Sequence, residues 1–255
     1  MEAKEYQTLF EVETTYWWHV GRQNIIDSFL RRAYGYIFQP NRRILDVGCG
    51  TGATMQHLQQ FGVVTGIDFA AEALQFCHQR GEQNVQQMDA TQMTFAPESF
   101  DLVTAFDVLE HLDDVAALRQ IHKVLKPEGY LLLTVPAYMF LWSDHDRALH
   151  HLRRYTRPGI ESRLRETGFE VRRSSYLITT FFFIIVAFRI LNRICPSKTR
   201  PKTSYLMLPR PLNAFLTGLL RIEAKLVNHM SFPFGTSVMV LAKKSDLPVA
   251  SRTEC

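Results

Sequence analysis

Short apolar runs alternate with stretches of helical periodicity through most of this chain. That is the rhythm of strands paired in parallel through crossover helices. The runs 43–47, 63–67, 84–88, 100–106, 130–135, 169–176 and 236–242 read as seven strands. Helices are predicted over 51–61, over 70–80, from an Asp113 cap to Leu125, and from a Thr156 cap onward. Gly62, Gly81 and Gly168 stand where these helices end, because glycine tolerates the left-handed backbone that follows a last turn. The turn Pro127-Glu128-Gly129 leads into the fifth strand. The first 36 residues read as a helical cap with the aromatic cluster Tyr16-Trp17-Trp18. The pattern predicts an α/β fold, a mostly parallel sheet with helices on both faces.

The rhythm breaks at Leu177. The run 177–188 is uncharged and mostly apolar, 196–211 is basic and proline-punctuated and reads as a loop, and 212–230 is an amphipathic helix. On that helix Leu212, Phe215, Leu216, Leu219, Leu220, Leu226, Val227 and Met230 share a face, opposite Arg221 and Lys225. The predicted organisation is a cap (1–36), an α/β domain (37–176 plus 236–244), a helical insertion (177–235) and a tail (245–255). Glu223 falls inside the apolar face of the second insertion helix. A buried carboxylate needs a partner, so an ion pair with Arg189 or Arg193 is expected, holding the two insertion helices face to face.

Composition refines this picture at a few points. With 46% apolar residues a full core is available, and a net charge of +4 is too mild to imply nucleic acid. The charge is unevenly placed: between Leu177 and Phe232 eight Arg or Lys face one acid, Glu223. An apolar run of that length is too short for a bilayer span, which takes about 20 residues. An in-plane membrane contact through 177–232, a lid and a dimer interface all fit. The four cysteines show no CxxC pair or zinc-like spacing, and the acidic N-terminus lacks the apolar run of a secretory leader. The expected location is cytoplasmic, peripheral on the inner face of the membrane.

The densest chemistry lies in Ile44-Leu45-Asp46-Val47-Gly48-Cys49-Gly50-Thr51-Gly52. A strand delivers this turn to the carboxyl edge of the sheet, where open α/β sheets bind ligands. Its GxGxG spacing after an acid differs from the GxGxxG of dinucleotide sites. A pyrophosphate wants a bare helix N-terminus; an acid there suits a ligand with an ammonium and a sulfonium. Asp68, ending the second strand, can accept hydrogen bonds from both hydroxyls of a ribose, and Asp89 after the third is placed to meet an adenine amino group. Phe100-Asp101-Leu102-Val103 leads to Asp107-Val108-Leu109-Glu110-His111-Leu112, and Leu125-Lys126-Pro127-Glu128-Gly129 precedes the next strand.

The order and spacing of these five elements resemble the class I S-adenosylmethionine-dependent methyltransferases, in particular the group that includes ubiquinone-biosynthesis-type enzymes. The likeness covers 42–135 most strongly. Glu128 departs from it, since the family often has glycine there. The resemblance implies a Rossmann-like seven-stranded sheet with an antiparallel last strand, and S-adenosylmethionine as cofactor. It implies that Asp46, Gly48, Cys49, Gly50 and Gly52 line the methionine end, with Cys49 a small filler of the turn. Asp68, beside Phe69, holds the ribose, and Asp89 and Ala90 the adenine. Asp107 and Val108 lie behind the transferred methyl. The segment 13–22 resembles a cap seen before such domains. Trp17 or Trp18 then covers the cofactor or docks the helix on the core, and Arg22 pairs with the cofactor carboxylate.

On the acceptor side three histidines are candidate bases: His111, His145 and His151. Asp107, Glu110 and His111 also resemble a divalent-metal site of some ubiquinone-type enzymes, which have Glu where this chain has Asp107. Loop ordering is the favoured reading here and no metal is expected. The segment 151–155 resembles a HxRRY signature of a bacterial branch, matched by His151, Arg153, Arg154 and Tyr155. Those two arginines and the tyrosine are candidate acceptor contacts, since guanidinium binds phosphate or carboxylate bidentately; a surface ion-pair cluster is the alternative. The expected function is methylation of a hydrophobic or membrane-presented acceptor, such as a quinone precursor, a polyprenyl-linked intermediate or a lipid. The alternatives are a soluble small-molecule O-methyltransferase and a non-catalytic cofactor-binding scaffold.

Overall fold

The computed structural model describes residues 3–34, 41–194 and 208–245. Helices α1 (Ala3–Val12) and α2 (Trp17–Tyr34) open the chain. Then come β1 (Arg43–Val47), α3 (Ala53–Leu58), β2 (Val63–Asp68), α4 (Ala71–Gln79), β3 (Val85–Gln87) and β4 (Phe100–Phe106). After them follow α5 (Asp114–Val124), β5 (Leu125–Pro136), α6 (Asp144–Ala148), α7 (Arg157–Glu166) and β6 (Phe169–Leu177). The insertion supplies α8 (Phe182–Ile194) and α9 (Arg210–Leu226), and β7 (Ser237–Lys244) returns to the sheet.

The seven strands lie in the order β3-β2-β1-β4-β5-β7-β6. The first five pair in parallel, and β7 runs antiparallel to both β5 and β6. Strand order reverses between β1 and β4, which opens a crevice at their carboxyl ends. Alternation along the strands sorts the core into two layers. Leu45, Leu131 and Leu133 face α5 and α7 residues such as Leu118 and Leu164. Ile44 and Leu132 face α2, α3 and α9 residues such as Phe29, Met55 and Leu220. The caps fall where predicted: Asp113 Oδ1 accepts from the Val115 and Ala116 amides at 3.1 Å, and Thr156 Oγ1 from Gly159 at 3.2 Å.

The fifth strand differs from expectation. Its ladder already begins at Leu125 opposite Phe100, and 126–129 loop out before Tyr130 meets Leu102. Glu128 sits there at φ +65°. That left-handed backbone is what glycine adopts at no steric cost, the physical reason a related sequence carries glycine at this turn.

The insertion corrects the sequence reading twice. The predicted apolar face of α9 divides: Leu220 and Val227 are buried against α2, whereas Leu212, Phe215, Leu226 and Met230 are exposed. Gly21 makes the α2–α9 approach possible, because a Cβ there would overlap the Leu220 side chain. Glu223 is indeed buried, yet it bonds to no arginine among the described residues, and the Arg193 side chain lies outside them. Its carboxylate accepts from the Thr179 amide (3.2 Å), the Thr180 amide (3.0 Å) and the Thr180 hydroxyl (2.7 Å). These amides lead into α8, where backbone donors lack intrahelical partners. They satisfy the carboxylate without burying a second charge. Most of the predicted loop 196–211 and of the tail lies outside the described residues. Among the described residues no helix is long and apolar enough to cross a membrane.

Candidate active site

A single cavity of about 1110 Å³ lies over the carboxyl ends of the strands and joins two sets of residues. The first set surrounds the glycine loop. Gly48 holds φ +68°, and a Cβ there would overlap a Val108 methyl, so Val108 closes down on the turn from the end of β4. Asp46 is buried; Thr104 Oγ1 donates to its Oδ1 at 2.6 Å, and its Oδ2 is sealed from solvent without a partner. Burial pushes this carboxyl up to about 7. Asp68 accepts from the Gly50 amide at 3.0 Å and the Ala70 amide at 2.9 Å, so it ties the glycine loop to the start of α4. Burial raises its pKa too. Asp89 turns one oxygen onto Thr91, 2.7 Å from both its amide and its hydroxyl.

The N-terminal helices roof this half. Trp17, Trp18 and Arg22 line the cavity, as do Tyr6, Leu9 and Glu13. Trp17 packs edge-on against Phe181 at 4.9 Å, so it lines the cavity and docks the cap at once. Arg22 lies under the Trp18 ring and pairs with Asp107, whose other oxygen accepts from Thr134 Oγ1 at 3.2 Å. Glu13 accepts from Thr51 of the glycine loop and pairs with Arg80, which also donates to the carbonyls of Thr51 (2.8 Å) and Phe10 (2.9 Å). This clasp has no signature in the sequence, because its members are far apart and individually ordinary.

The second set is assembled from the end of β4, the segment after β5, and α8. Asp146 is fully buried at its centre. It accepts from His151 Nδ1 (3.0 Å), from Arg154 Nε (2.7 Å) and Nη2 (3.1 Å), and from Ser143 (2.8 Å from the amide). Burial opposes the charge, but the bonds from His151 and Arg154 hold this carboxyl far below the usual carboxylate range. With Nδ1–H committed to Asp146, the His151 lone pair lies on Nε2, on the side of Glu110 (4.0 Å) and of the His111 ring (4.7 Å between centroids). Glu110 is fully buried and neither of its oxygens has a hydrogen-bond partner. Burial and the nearby Asp107 push its carboxyl well above the ordinary range. Desolvation brings both His111 and His145 down to about 4, so both are neutral near pH 7.

The predicted residues thus separate. Asp46, Gly48, Cys49, Gly50, Asp68, Phe69, Asp89, Ala90, Asp107, Val108 and Arg22 all line the cavity, as do His111, His145, His151 and Arg154. Gly52 does not reach it; it stands at φ +88° as the cap of α3. Cys49 is buried, with its sulfur 4.0 Å from that of Cys77. Arg153 and Tyr155 are corrected. They turn away from the cavity to Asp114, at 3.1 Å and 2.9 Å, and fix the start of α5. Arg154 lines the cavity but is engaged by Asp146 and by the Ala137 carbonyl at 2.9 Å. Sequence reasoning missed Asp146, the pivot of the cluster, and Arg189, which reaches the cavity from α8.

The donor atoms of Glu110, His111 and His151 lie within 4.8 Å of one another. An orphaned buried carboxylate beside two imidazoles fits a divalent cation, which would displace the proton from Glu110. The set differs from the one the resemblance suggested. Asp107 is taken by Arg22, and His151 stands in its place.

Residues 45–133 match the family described as Methyltransferase domain. The Ubiquinone biosynthesis O-methyltransferase of Actinobacillus pleuropneumoniae is 30% identical over 158 residues, 52% of this chain and 66% of that protein. The protein of the same name from Haemophilus ducreyi is 32% identical over 117 residues, 39% of this chain and 50% of that protein. The chain therefore spans between half and about two thirds of the length of these relatives. The crystal structure of a SAM-dependent methyltransferase from Archaeoglobus fulgidus shares the fold, with a TM-score of 0.56 and 18% identity over 87% of this chain and 94% of that one. Motif, cavity and relatives converge: this chain belongs to the class I S-adenosylmethionine-dependent methyltransferases.

Proposed function

We propose that the chain transfers the methyl group of S-adenosylmethionine to a hydroxyl of a hydrophobic acceptor, with His151 as general base. The observation that carries this reading is the His151–Asp146 pair in the same cavity as the glycine loop. Methyl transfer needs an aligned nucleophile and a dry site. A hydroxyl also needs a base of near-neutral pKa, oriented toward it. Asp146 supports that role by fixing the tautomer and holding the ring, and the O-methyltransferase names of the relatives agree with it. Asp46 and Asp68 would hold the amino acid and ribose ends of the cofactor, which supplies the activated methyl.

An acceptor presented at a membrane surface is the finer reading. The outward side of α8 carries Phe183, Ile184, Ile190 and Leu191, each more than half exposed, and Phe188, also more than half exposed, stands at the border between this side and the cavity. With Ala187 they form an outer face without a polar residue, the reverse of an ordinary surface helix. On α9 exposed Leu212, Phe215, Ile222 and Leu226 run beside exposed Arg221 and Lys225, while the acid of the helix, Glu223, is buried. Apolar residues bordered by cations suit the interface of an anionic bilayer.

Membrane and aqueous extracts incubated with methyl-labelled cofactor test both parts. The expected result is a labelled, solvent-extractable product from the membrane fraction, with the protein sedimenting on anionic vesicles. Label confined to protein, or to small molecules of the aqueous extract, would overturn the acceptor class. Cofactor binding with no product from either extract would favour a non-catalytic scaffold.

A further inference from the structure

The arginines around the cavity differ in one respect. Arg22 is paired with Asp107 and Arg154 with Asp146. Arg189 has neither a hydrogen bond nor an ion pair among the described residues, and its Nε is sealed from solvent without a partner. It lies on the side of α8 that turns into the cavity, alongside Ile185, and with His145, Leu141 and Leu149 also on the lining. The nearest acids are already engaged, Asp146 by His151 and Arg154, and Asp144 by Arg147 at 2.5 Å. Burial and the neighbouring Arg154 both disfavour its charge, so the pKa of Arg189 is lowered.

A half-buried cation without a counter-charge is destabilising in a folded protein unless something else uses it. An arginine that merely snorkels would run outward along the helix to water. This one sits opposite the exposed apolar face of its own helix. We propose that Arg189 is the anion anchor of the acceptor pocket, so that the acceptor carries a carboxylate or a phosphate next to an apolar body. The guanidinium fork matches either group bidentately. α8 then presents apolar side chains outward and a cation inward, and Ile185 and Phe188 line the same cavity for the apolar part of the ligand. The inference rests on the reading of this cavity half as the acceptor site.

Calorimetry on the full chain, saturated with S-adenosylhomocysteine, tests it with three matched probes: octanoate, octyl phosphate and octanol. At least one anion is expected to bind about tenfold or more tightly than octanol, the effect of roughly one charge-assisted interaction. The better of the two anions identifies the head group. Arg189→Met should abolish that preference and Arg189→Lys should retain part of it. The affinity of Arg189→Met for S-adenosylhomocysteine should be unchanged, and its ligand-free melting temperature equal to or above wild type, because an unpaired buried charge has been removed. Any of four results would overturn the proposal: no anion preference in wild type, including no probe binding at all; a preference that survives in Arg189→Met; loss of cofactor affinity, which would give Arg189 to the cofactor carboxylate; or a lowered melting temperature, which would make it structural. Failure of methyl transfer itself is distinguishable. Anion selectivity would then persist without labelled product, whereas a labelled product with no selectivity would leave the methyltransferase reading intact.

Discussion

The two halves of the cavity are built by different means. The cofactor half is made of strand ends and the turns that follow them, and its carboxylates are tied down by amides a few residues away or by the adjacent strand: Asp68 to Gly50 and Ala70, Asp89 to Thr91, Asp46 to Thr104. The acceptor half is made of side chains from separate segments, and it contains polar atoms that nothing among the described residues satisfies: both Glu110 oxygens, His145 Nδ1 and Arg189 Nε. The first is a scaffold held largely by its own strands and turns. The second is a set of groups awaiting a ligand, a proton or a cation. Orphaned buried polar groups are costly, so they mark where chemistry is to be completed; the cofactor half has its own in Asp46 Oδ2, Trp17 Nε1 and Arg22 Nε, but among the described residues only the acceptor half leaves both oxygens of a buried carboxylate, Glu110, without a partner.

The largest expected effect separates the halves outright. His151→Ala should lower turnover by about 10²–10⁴ while leaving the cofactor dissociation constant unchanged, the signature of a lost general base. Asp146→Asn should lower turnover less and without loss of cofactor binding, because it perturbs the ring rather than removing it. A chelator that abolishes turnover, with magnesium restoring it, would move the role of His151 from base to ligand in the Glu110–His111–His151 set. Normal turnover in His151→Ala and a large loss in His145→Ala would move the base to His145.

The converse change belongs to the cofactor half. Asp68→Ala should weaken cofactor binding by about 1.5–3 kcal/mol, the worth of hydrogen bonds to a charged acceptor, which is roughly 10–150-fold by calorimetry. Acceptor binding should be unaffected. Unchanged cofactor affinity in a folded variant would overturn the site.

These two halves were not equally legible in the sequence, and the reason is physical. Asp46 and Asp68 lie at the carboxyl ends of strands and Asp89 just beyond one, so a periodic pattern and a glycine turn suffice to locate them. The same holds for the Asp113 and Thr156 caps, whose partners lie two or three residues away. Arg153, Arg154 and Tyr155 are adjacent, yet they diverge to Asp114 and Asp146, and no local pattern tells which way each turns. Glu223 was rightly expected to be buried. Its amide partners were not foreseen, because any backbone can supply them and none leaves a mark in residue identity. Arg189 ends an apolar run and is expected from the sequence as a partner of Glu223; only the rotation of α8 turns it into the cavity instead.

A smaller, graded effect is expected with pH. Asp46 titrates near 7 in the folded ligand-free protein, against 3.8 ordinarily. Its proton is therefore held more tightly folded than unfolded, and its contribution to ligand-free stability falls as pH rises from about 4 to about 7. Cofactor binding runs the other way. If the ammonium of the cofactor binds the ionised carboxylate, affinity should rise up to about tenfold per pH unit below 7 and level off above it. Asp46→Asn should flatten that slope. A slope that survives in the variant would assign it to another group.

The smallest expected effect is on stability and concerns the outer helix of the acceptor half. Glu223 joins α9 to the approach of α8 through three hydrogen bonds from Thr179 and Thr180. Gln at this position keeps one carbonyl acceptor but turns an amide donor toward donors. The expected cost is about 1–3 kcal/mol, the penalty for leaving buried donors unsatisfied, read from denaturant midpoints. It is smaller than the loss expected from breaking a buried ion pair, about 3–5 kcal/mol, so the measurement also tests which partner Glu223 has. Because α8 carries Phe188 and Arg189 into the acceptor half, loosening its start should raise the acceptor KM. The glycine loop has no bond to Glu223, so the cofactor dissociation constant should stay fixed. A Glu223→Gln variant that weakens cofactor binding as much as acceptor binding would show that the two halves are mechanically one.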